Sequence, residues 1–292
     1  MLKLKTLLYV STAAITMTAF IFAASCKKNK STSTVAETTV SAADQSLAEK
    51  SFTDAQTISE NAAAGGSMNY RVTKLTGLPC ATVTRDTTGT NTVVTINFGP
   101  TDCICLDGRT RRGEIIITYP KGPWYTIGAT HTITFSGYYQ NDNAITGTKT
   151  VTYAGLNGSG QPYFNVTING TVTYPSGKTV TASWTRVRTW LSGFTLSGST
   201  PVWSSGIVYS VSGTGTMTNS DGKVVDITIP TSTPLVFTWG CKWIEAGTIS
   251  YTLVSDGKTR SINYGSNTPP YSCDATAVVT LANGTQVTIT KP

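Results

Sequence analysis

Residues 215–229 read GTMTNSDGKVVDITI, and this stretch has the pattern of a β-hairpin. Val225, Ile227 and Ile229 alternate with a valine, an aspartate and a threonine, which is the period of two of a half-buried strand. Before them, the Asp-Gly pair within residues 220–223 supplies the left-handed backbone that a tight hairpin turn requires. The stretch therefore predicts two antiparallel strands joined by a short turn.

The same two signals recur along most of the chain. Alternating runs occur at Val94–Phe98 and His131–Phe135. Further turn signals lie between β-rich runs, at residues 175–178, 255–258 and 283–284. Because no helical segment separates these runs, there is nothing to make parallel crossovers, and the strands must pair antiparallel. Residues 67–292 are therefore predicted to form an all-β domain, an antiparallel meander of hairpins with a sandwich-like or partly closed barrel-like sheet.

One short N-terminal helix is predicted ahead of the sheet, over residues 41–66. Ser41 caps this helix, Gly65 and Gly66 end it, and its apolar side chains lie roughly along one side. These apolar residues are Leu47, Phe52, Ala55, Ile58 and Ala62. Residues 26–40 are polar and lack an apolar period, so they are predicted to be a flexible tether.

The first residues of the chain have the layout of an export signal. Lys3 and Lys5 precede an apolar run of about 16 residues, shorter than the roughly 20 that a membrane-spanning helix needs. The run is followed by Ala23-Ala24-Ser25-Cys26, which resembles the lipobox of bacterial lipoproteins, where the cysteine is acylated before cleavage. We therefore expect residues 1–25 to be a lipoprotein signal peptide and Cys26 to carry lipid chains such as palmitate.

Composition restricts the choice of partner. The formal net charge of +7 is spread over 292 residues without a dense Lys/Arg block, which excludes nucleic acid as the expected partner. Anionic lipid headgroups and glycans remain open as partners, beside the bilayer that Cys26 would enter. No motif for a cofactor is present. The expected location is the cell envelope, at the outer membrane on either its periplasmic or its surface face.

Five cysteines follow Cys26 in the chain. They are Cys80, Cys103, Cys105, Cys241 and Cys273. Because export leads to an oxidising compartment, we expect two disulfides and one free thiol in the body of the protein. Sequence proximity favours Cys241 with Cys273, and Cys80 with either Cys103 or Cys105. A metal site is not expected, since one residue between Cys103 and Cys105 is not zinc-finger spacing.

Few residues are candidates for catalysis. His131 is the single histidine. It alternates with threonines in the same positions as Ile133 and Phe135, so it lies on the apolar side of its strand, which indicates a packed side chain rather than a general base. Two carboxylates in one cleft are the minimum for a glycoside hydrolase. The candidate pairs are Asp107 with Glu114 and Asp226 with Glu245, and each would be catalytic only if folding brought its two carboxylates together. The alternative is that all four acids lie at ordinary surface and turn positions.

A stripe of aromatic and basic residues is the main candidate for ligand binding. The period of two places Trp184, Arg186, Arg188 and Trp190 on one face of their strand. On an exposed sheet, the indoles would stack on sugar rings and the guanidinium groups would bind hydroxyls or carboxylates. The pattern nevertheless favours a structural ladder, in which each arginine lies over an aromatic ring on a neighbouring strand.

A second basic cluster consists of Arg109, Arg111 and Arg112. A solvated loop or pairing with nearby acids within the chain is the expected role. Contact with headgroups or anionic glycan is the alternative.

Four segments of the chain are distinctive: Cys105–Gly113 followed by the strand Glu114–Tyr119, Trp184–Trp190, Cys241-Lys242-Trp243, and Cys273-Asp274. Together they resemble a group of uncharacterised β-rich lipoproteins from Bacteroidota. The resemblance covers most of residues 41–292 and implies an envelope location and a β-rich fold, without a reaction. Asp86-Thr87-Thr88 also resembles the O-glycosylation signal of exported Bacteroidota proteins, which makes Thr87 a candidate glycosylation site.

The sequence thus favours a lipid-anchored cell-envelope β-protein with a non-enzymatic structural or binding role. A glycan-binding surface module that uses the Trp184–Trp190 stripe is the first alternative. A carboxylate-dependent hydrolase is the second.

Overall fold

A computed structural model describes residues 30–67, 81–105, 107–198 and 200–290, with side chains for all of these except 30–40, 63–67 and 203–205. It contains one helix, α1 (Lys30–Ser67), followed by fifteen strands. The strands are β1 (Thr82–Asp86), β2 (Asn91–Asn97), β3 (Cys103–Ile104), β4 (Thr110–Pro120), β5 (Thr130–Gln140), β6 (Asn143–Leu156), β7 (Pro162–Thr173), β8 (Thr179–Ser197), β9 (Thr200–Thr218), β10 (Val224–Ile229), β11 (Leu235–Thr238), β12 (Thr248–Leu253), β13 (Lys258–Asn263), β14 (Thr276–Thr280) and β15 (Gln286–Thr290).

All fifteen strands belong to one antiparallel sheet. Its hydrogen-bonded order is β1-β2-β4-β5-β6-β7-β8-β9-β10-β12-β13-β14-β15, with β3 beside β4 and β11 beside β9. Nearly every strand pairs with its neighbour in the chain, so the predicted all-β meander with one N-terminal helix is confirmed. Within the described residues no pairing joins β1 to β15, and the structure is therefore a single open sheet.

Local turn chemistry sets the hairpins where the sequence places them. Between β9 and β10, the side-chain oxygen of Asn219 accepts the backbone N–H groups of Asp221 and Lys223, at 3.1 and 2.8 Å. Gly222 has φ of 75°, a left-handed conformation that glycine adopts without a steric penalty. The turns predicted at residues 175–178, 255–258 and 283–284 likewise connect consecutive antiparallel strands.

Helix α1 is enclosed by the sheet. It contacts β2, β4, β5, β7, β8, β9 and β15, strands that span nearly the whole sheet order. Every side chain from 41 to 62 is buried except those of Ala43, Leu47 and Asn61, which are half-buried. The apolar side chains named from the sequence therefore do not form the one buried side of the helix, because a sheet that curls around a helix also buries its polar sides.

The helix also begins earlier than expected. It starts at Lys30 rather than at Ser41, so the segment predicted as a flexible tether is helical from Lys30 onward. Residues 30–40 contain no glycine or proline, and nothing in their composition interrupts the helix that is fixed at Ser41 and beyond. Although α1 is long, neither it nor any other part of the described chain forms a helix with an apolar stretch sufficient to span a bilayer.

Close packing between helix and sheet is centred on Phe52. Its ring meets Trp184 edge to face, with the centroids 6.3 Å apart, and lies 6.3 Å from the ring of Phe135. Gly170 of β7 makes this approach possible, because a Cβ there would lie 2.5 Å from the Phe52 ring. The sheet can therefore close on the helix at this level only with glycine at that position.

The cysteines follow the expected pattern where the structure describes them. Cys241 and Cys273 form a disulfide, with Cα atoms 5.8 Å apart. Cys103 is also disulfide-bonded, and Cys105 is a buried free thiol. Cys80 lies outside the described residues. The predicted Cys241–Cys273 pairing is thus present, and the free thiol is Cys105, one of the two candidate partners of Cys80.

The Cys241–Cys273 disulfide is expected to stabilise the fold measurably. It joins residues 32 positions apart, and replacing both cysteines by serine should lower the free energy of unfolding by about 2–4 kcal/mol. Urea unfolding without reductant measures this change. The control is Cys105→Ala, which leaves the disulfide intact. A double variant that unfolds at the wild-type urea concentration would contradict the assignment.

Candidate functional site

The most unusual part of the molecule is a set of ion pairs between the helix and the sheet. Arg186 Nη2 of β8 lies 2.9 Å from Glu49 Oε2 of α1, and Arg188 Nη1 lies 2.9 Å from Glu60 Oε2. All four side chains are at most 3 % exposed. We name these four residues, Glu49, Glu60, Arg186 and Arg188, the helix clamp.

Both arginines make additional contacts beside these ion pairs. Arg186 Nη1 donates to the backbone carbonyls of Thr185 and Thr214, at 3.1 and 2.9 Å, and its guanidinium lies 4.6 Å from the Trp184 ring centre. The Arg188 guanidinium stacks 3.8 Å from the Tyr209 ring centre. Its Nη2 also donates to Thr57 Oγ1 of the helix at 3.2 Å. Each arginine is therefore held by both the helix and the sheet.

The candidate ligand stripe forms the inner wall of this interface. Trp184, Arg186, Arg188 and Trp190 share one face of β8, as their spacing predicts, but that face points to the helix. Trp190 is fully buried and Trp184 is 2 % exposed, so neither indole is available to stack on a sugar. The hypothesis of an exposed ligand stripe is therefore wrong, and the structural ladder, which the sequence favours, is the arrangement observed. The physical reason is that the carboxylates of the helix pair with the arginines and offset the cost of removing their charges from water.

Two buried lysines lie in the same interior, one on the sheet and one on the helix itself. Lys149 Nζ of β6 donates to the backbone carbonyl of Phe52 at 2.9 Å, and burial lowers the pKa of this lysine to about 7. Within α1, Lys50 donates to Asp54, and burial lowers the Lys50 pKa to about 8. Asp54 also lies 3.4 Å from Arg109 Nε, which links the helix to the loop before β4.

The cluster of Arg109, Arg111 and Arg112 is divided between interior and surface. Asp107 accepts from Arg111 Nη2 at 2.6 Å and from Arg109 Nη1 at 3.2 Å. Burial would raise the pKa of the Asp107 carboxyl, but the hydrogen bond and charge of Arg111, together with Arg109, hold it well below its usual value. Arg112 faces outward and pairs with Asp102 and Asp142. All three arginines therefore pair with acids of the same chain, which was the expected role.

His131 is a packed residue of the inner face, as its parity predicts. Its imidazole stacks on Trp124 with ring centres 3.8 Å apart, and it is 2 % exposed. Burial lowers its pKa from 6.5 to about 4, against the opposing hydrogen bond to the Trp124 backbone. The neutral imidazole is thus the form that fits this environment.

Acidification is therefore expected to destabilise the protein through His131. Between pH 6.5 and about 4, the unfolded state binds a proton at this residue and the folded state does not, so stability rises with pH across that window. His131→Phe keeps an aromatic ring but cannot titrate. Urea unfolding at pH 7 and pH 5 should show a smaller pH effect in this variant than in the wild type. An equal loss in both proteins would contradict the assignment.

The candidate carboxylates do not form a catalytic pair. Asp107 is engaged by arginines, whereas Glu114 accepts from the Asn97 amide at 2.6 Å. Asp226 lies on the exposed face of β10, while Glu245 is buried. Glu245 stands beside Cys241 and Cys273, but both sulfur atoms belong to the disulfide and are not metal ligands in that state.

The outer face of the sheet carries an ordered array of short polar side chains. One row of hydroxyl residues, which we name the hydroxyl row, crosses ten neighbouring strands in register. Its members are Thr118, Thr132, Thr150, Thr167, Thr185, Thr214, Thr228, Ser250, Ser261 and Thr280. At β6 to β9 the row passes through a shallow depression of about 340 Å³.

The remaining candidate modification sites are readily located. Thr87 lies in the exposed turn between β1 and β2, where Asp86 accepts the backbone N–H of Thr88 at 2.8 Å. Cys26 lies outside the described residues.

Sequence reasoning missed the acidic half of the helix clamp. Glu49 and Glu60 are separated by eleven residues, which is close to three helical turns, so they lie on the same side of α1. Arg186 and Arg188 share one side of β8 by the strand period. The sequence therefore offered one signal for the helix clamp: two acids on one side of the helix could be matched with two arginines on one side of the strand.

No protein-family model, curated protein or solved structure matches this chain.

Proposed function

We propose that this chain is a lipid-anchored cell-envelope protein with a non-enzymatic structural or binding role, attached to the outer membrane through acylated Cys26. The observation that carries the proposal is the course of α1. The helix begins at Lys30, shortly after the candidate lipid site, and continues to the centre of the sheet. From Lys30 onward, the chain between the candidate lipid site and the core of the fold is thus one helix.

The contacts of α1 support a mechanical role for this connection. A force on the lipid would act on the helix, and the helix clamp joins that helix to β8 through two buried ion pairs. Further polar contacts fix the helix near Ser41: Tyr174 donates to Asp44 at 2.6 Å, and Asn219 donates to Ser41 at 2.8 Å. These contacts would keep the helix from being pulled out of the sheet when force acts on the anchor.

The chemistry of the interior supports a role without catalysis. In the helix clamp and around Asp107, each acid is paired with an arginine inside the protein. Groups that are mutually neutralised and buried are not accessible to a substrate. Burial also argues against glycan binding by the Trp184–Trp190 stripe, because neither Trp184 nor Trp190 is accessible to a sugar.

Metabolic labelling with an alkyne analogue of palmitate tests the proposal. We expect the wild-type chain to be labelled and to sediment with membranes, and Cys26→Ala to remain as an unlabelled precursor or a soluble form. Cys105→Ala is the matched control and should be labelled normally, because Cys105 is buried in the sheet domain. Label retained by Cys26→Ala would overturn the assignment.

A further inference from the structure

We propose that the depression on the outer face, at β6 to β9, is a binding site for an uncharged oligosaccharide. The inference concerns the folded domain and does not depend on the lipid anchor. Its hydroxyl and apolar side chains lie on the opposite face of β8 from the Trp184–Trp190 stripe, and Arg186 is the one member of that stripe that also lines the depression.

The composition of the depression favours a neutral ligand with many hydroxyl groups. Hydroxyls of the hydroxyl row line it, with the amide of Asn165 and the methyl groups of Val187. Val187 is 39 % exposed and presents an apolar contact of the kind that the C–H face of a pyranose ring needs. Threonine hydroxyls and the asparagine amide both donate and accept hydrogen bonds, as sugar hydroxyls do.

The charge distribution excludes an ionic ligand at this position. Arg186 is the one charged residue that lines the depression. Its guanidinium is neutralised by Glu49 and also donates to the carbonyls of Thr185 and Thr214. An anionic glycan would therefore find no free cation, whereas an uncharged one requires none.

The polar side chains are already ordered before a ligand binds. The hydroxyls of Thr150 and Thr167 are hydrogen-bonded to each other across β6 and β7. The Oγ1 atoms of Thr130 and Thr152 are also hydrogen-bonded, at 2.8 Å. Threonine has one stiff side-chain torsion, so little rotamer freedom is lost on binding. The depression crosses the four strands β6 to β9, which at a spacing of ~4.8 Å suits a chain of sugar units better than a single one. Because no aromatic ring lines the depression, we expect millimolar affinity.

The test is a titration of the purified full chain, in detergent, with cellohexaose, maltohexaose and laminarihexaose, followed by isothermal calorimetry and protein NMR. We expect at least one of these neutral hexasaccharides to bind. Thr167→Val/Thr185→Val removes two hydroxyls from the depression while keeping the β-branched shape. This double variant should weaken binding about fivefold or more.

The matched control is Thr228→Val/Ser250→Val, which removes two hydroxyls of the same row outside the depression. It should bind the hexasaccharide within about twofold of the wild type, and both variants should keep the wild-type urea midpoint. The proposal is overturned if none of the three sugars binds at millimolar concentration, or if the two double variants weaken binding equally. Failure of lipid labelling at Cys26 would leave these binding results unaffected, so the two proposals fail separately.

Discussion

Replacing Arg186 by methionine is expected to lower the free energy of unfolding by about 3–5 kcal/mol. The variant removes the positive partner of Glu49 and leaves that carboxylate 1 % exposed without its partner charge. The cost arises from the stranded charge rather than from the lost contact, because a carboxylate without a counter-ion is strongly disfavoured away from water. Methionine retains much of the apolar stem of arginine, so the packing against Trp184 is largely preserved.

Urea unfolding at pH 7 measures this effect, and two further variants isolate its cause. Arg186→Met/Glu49→Leu removes both charges and should regain most of the lost stability, since an apolar pair avoids the desolvation cost. Lys178→Met breaks the exposed pair with Asp221 and should leave the urea midpoint almost unchanged. If the double variant is no more stable than Arg186→Met, the stranded-charge explanation is wrong.

The double variant Trp184→Ala/Trp190→Ala is expected to be largely unfolded at 25 °C. Both indoles are buried, and each tryptophan-to-alanine change in a core costs about 3–5 kcal/mol. Trp184 packs on Phe52 of the helix, and Trp190 lies 5.3 Å from Phe164 between ring centres. The sum is comparable to the whole stability of a typical domain. The loss should therefore appear as lost near-ultraviolet circular dichroism and a featureless urea titration.

Val187→Ala is the control for this effect, because it lies on β8 between the two tryptophans but faces outward. It should unfold near the wild-type urea concentration. A well-folded tryptophan double variant with native circular dichroism would show that the indoles contribute little to the core. That result would reopen the hypothesis of an exposed stripe.

The sequence predicted the strands because their signals are local. Val225, Ile227 and Ile229 alternate with outward residues, and the Asp-Gly turn ahead of them fixes the hairpin register. His131 was assigned to the apolar side of β5 by its position in the alternating run alone, and it is 2 % exposed there. An antiparallel meander requires only such neighbour-to-neighbour information, since each strand pairs with the next one along the chain.

The alternation of side chains along β8 did not predict whether the Trp184–Trp190 stripe is buried. It established that four side chains share one face of the strand, but not which face points to the interior. Arginine is normally an exposed residue, so the stripe was compatible with a surface role. The deciding partners, Glu49 and Glu60, lie more than a hundred residues away in the chain.

What the sequence by itself determined is the succession of strands and turns, the presence of one N-terminal helix and the pairing of Cys241 with Cys273, all of which depend on local pattern or proximity. What only the tertiary structure decided is that the sheet curls around that helix. The curl buries the polar sides of α1, reverses the exposure expected for Arg186 and Arg188, and leaves the hydroxyl row as the outer surface. The reason is physical: a charged side chain can be buried or exposed at similar cost when a partner of opposite charge is available, and the partner is supplied by a distant part of the chain.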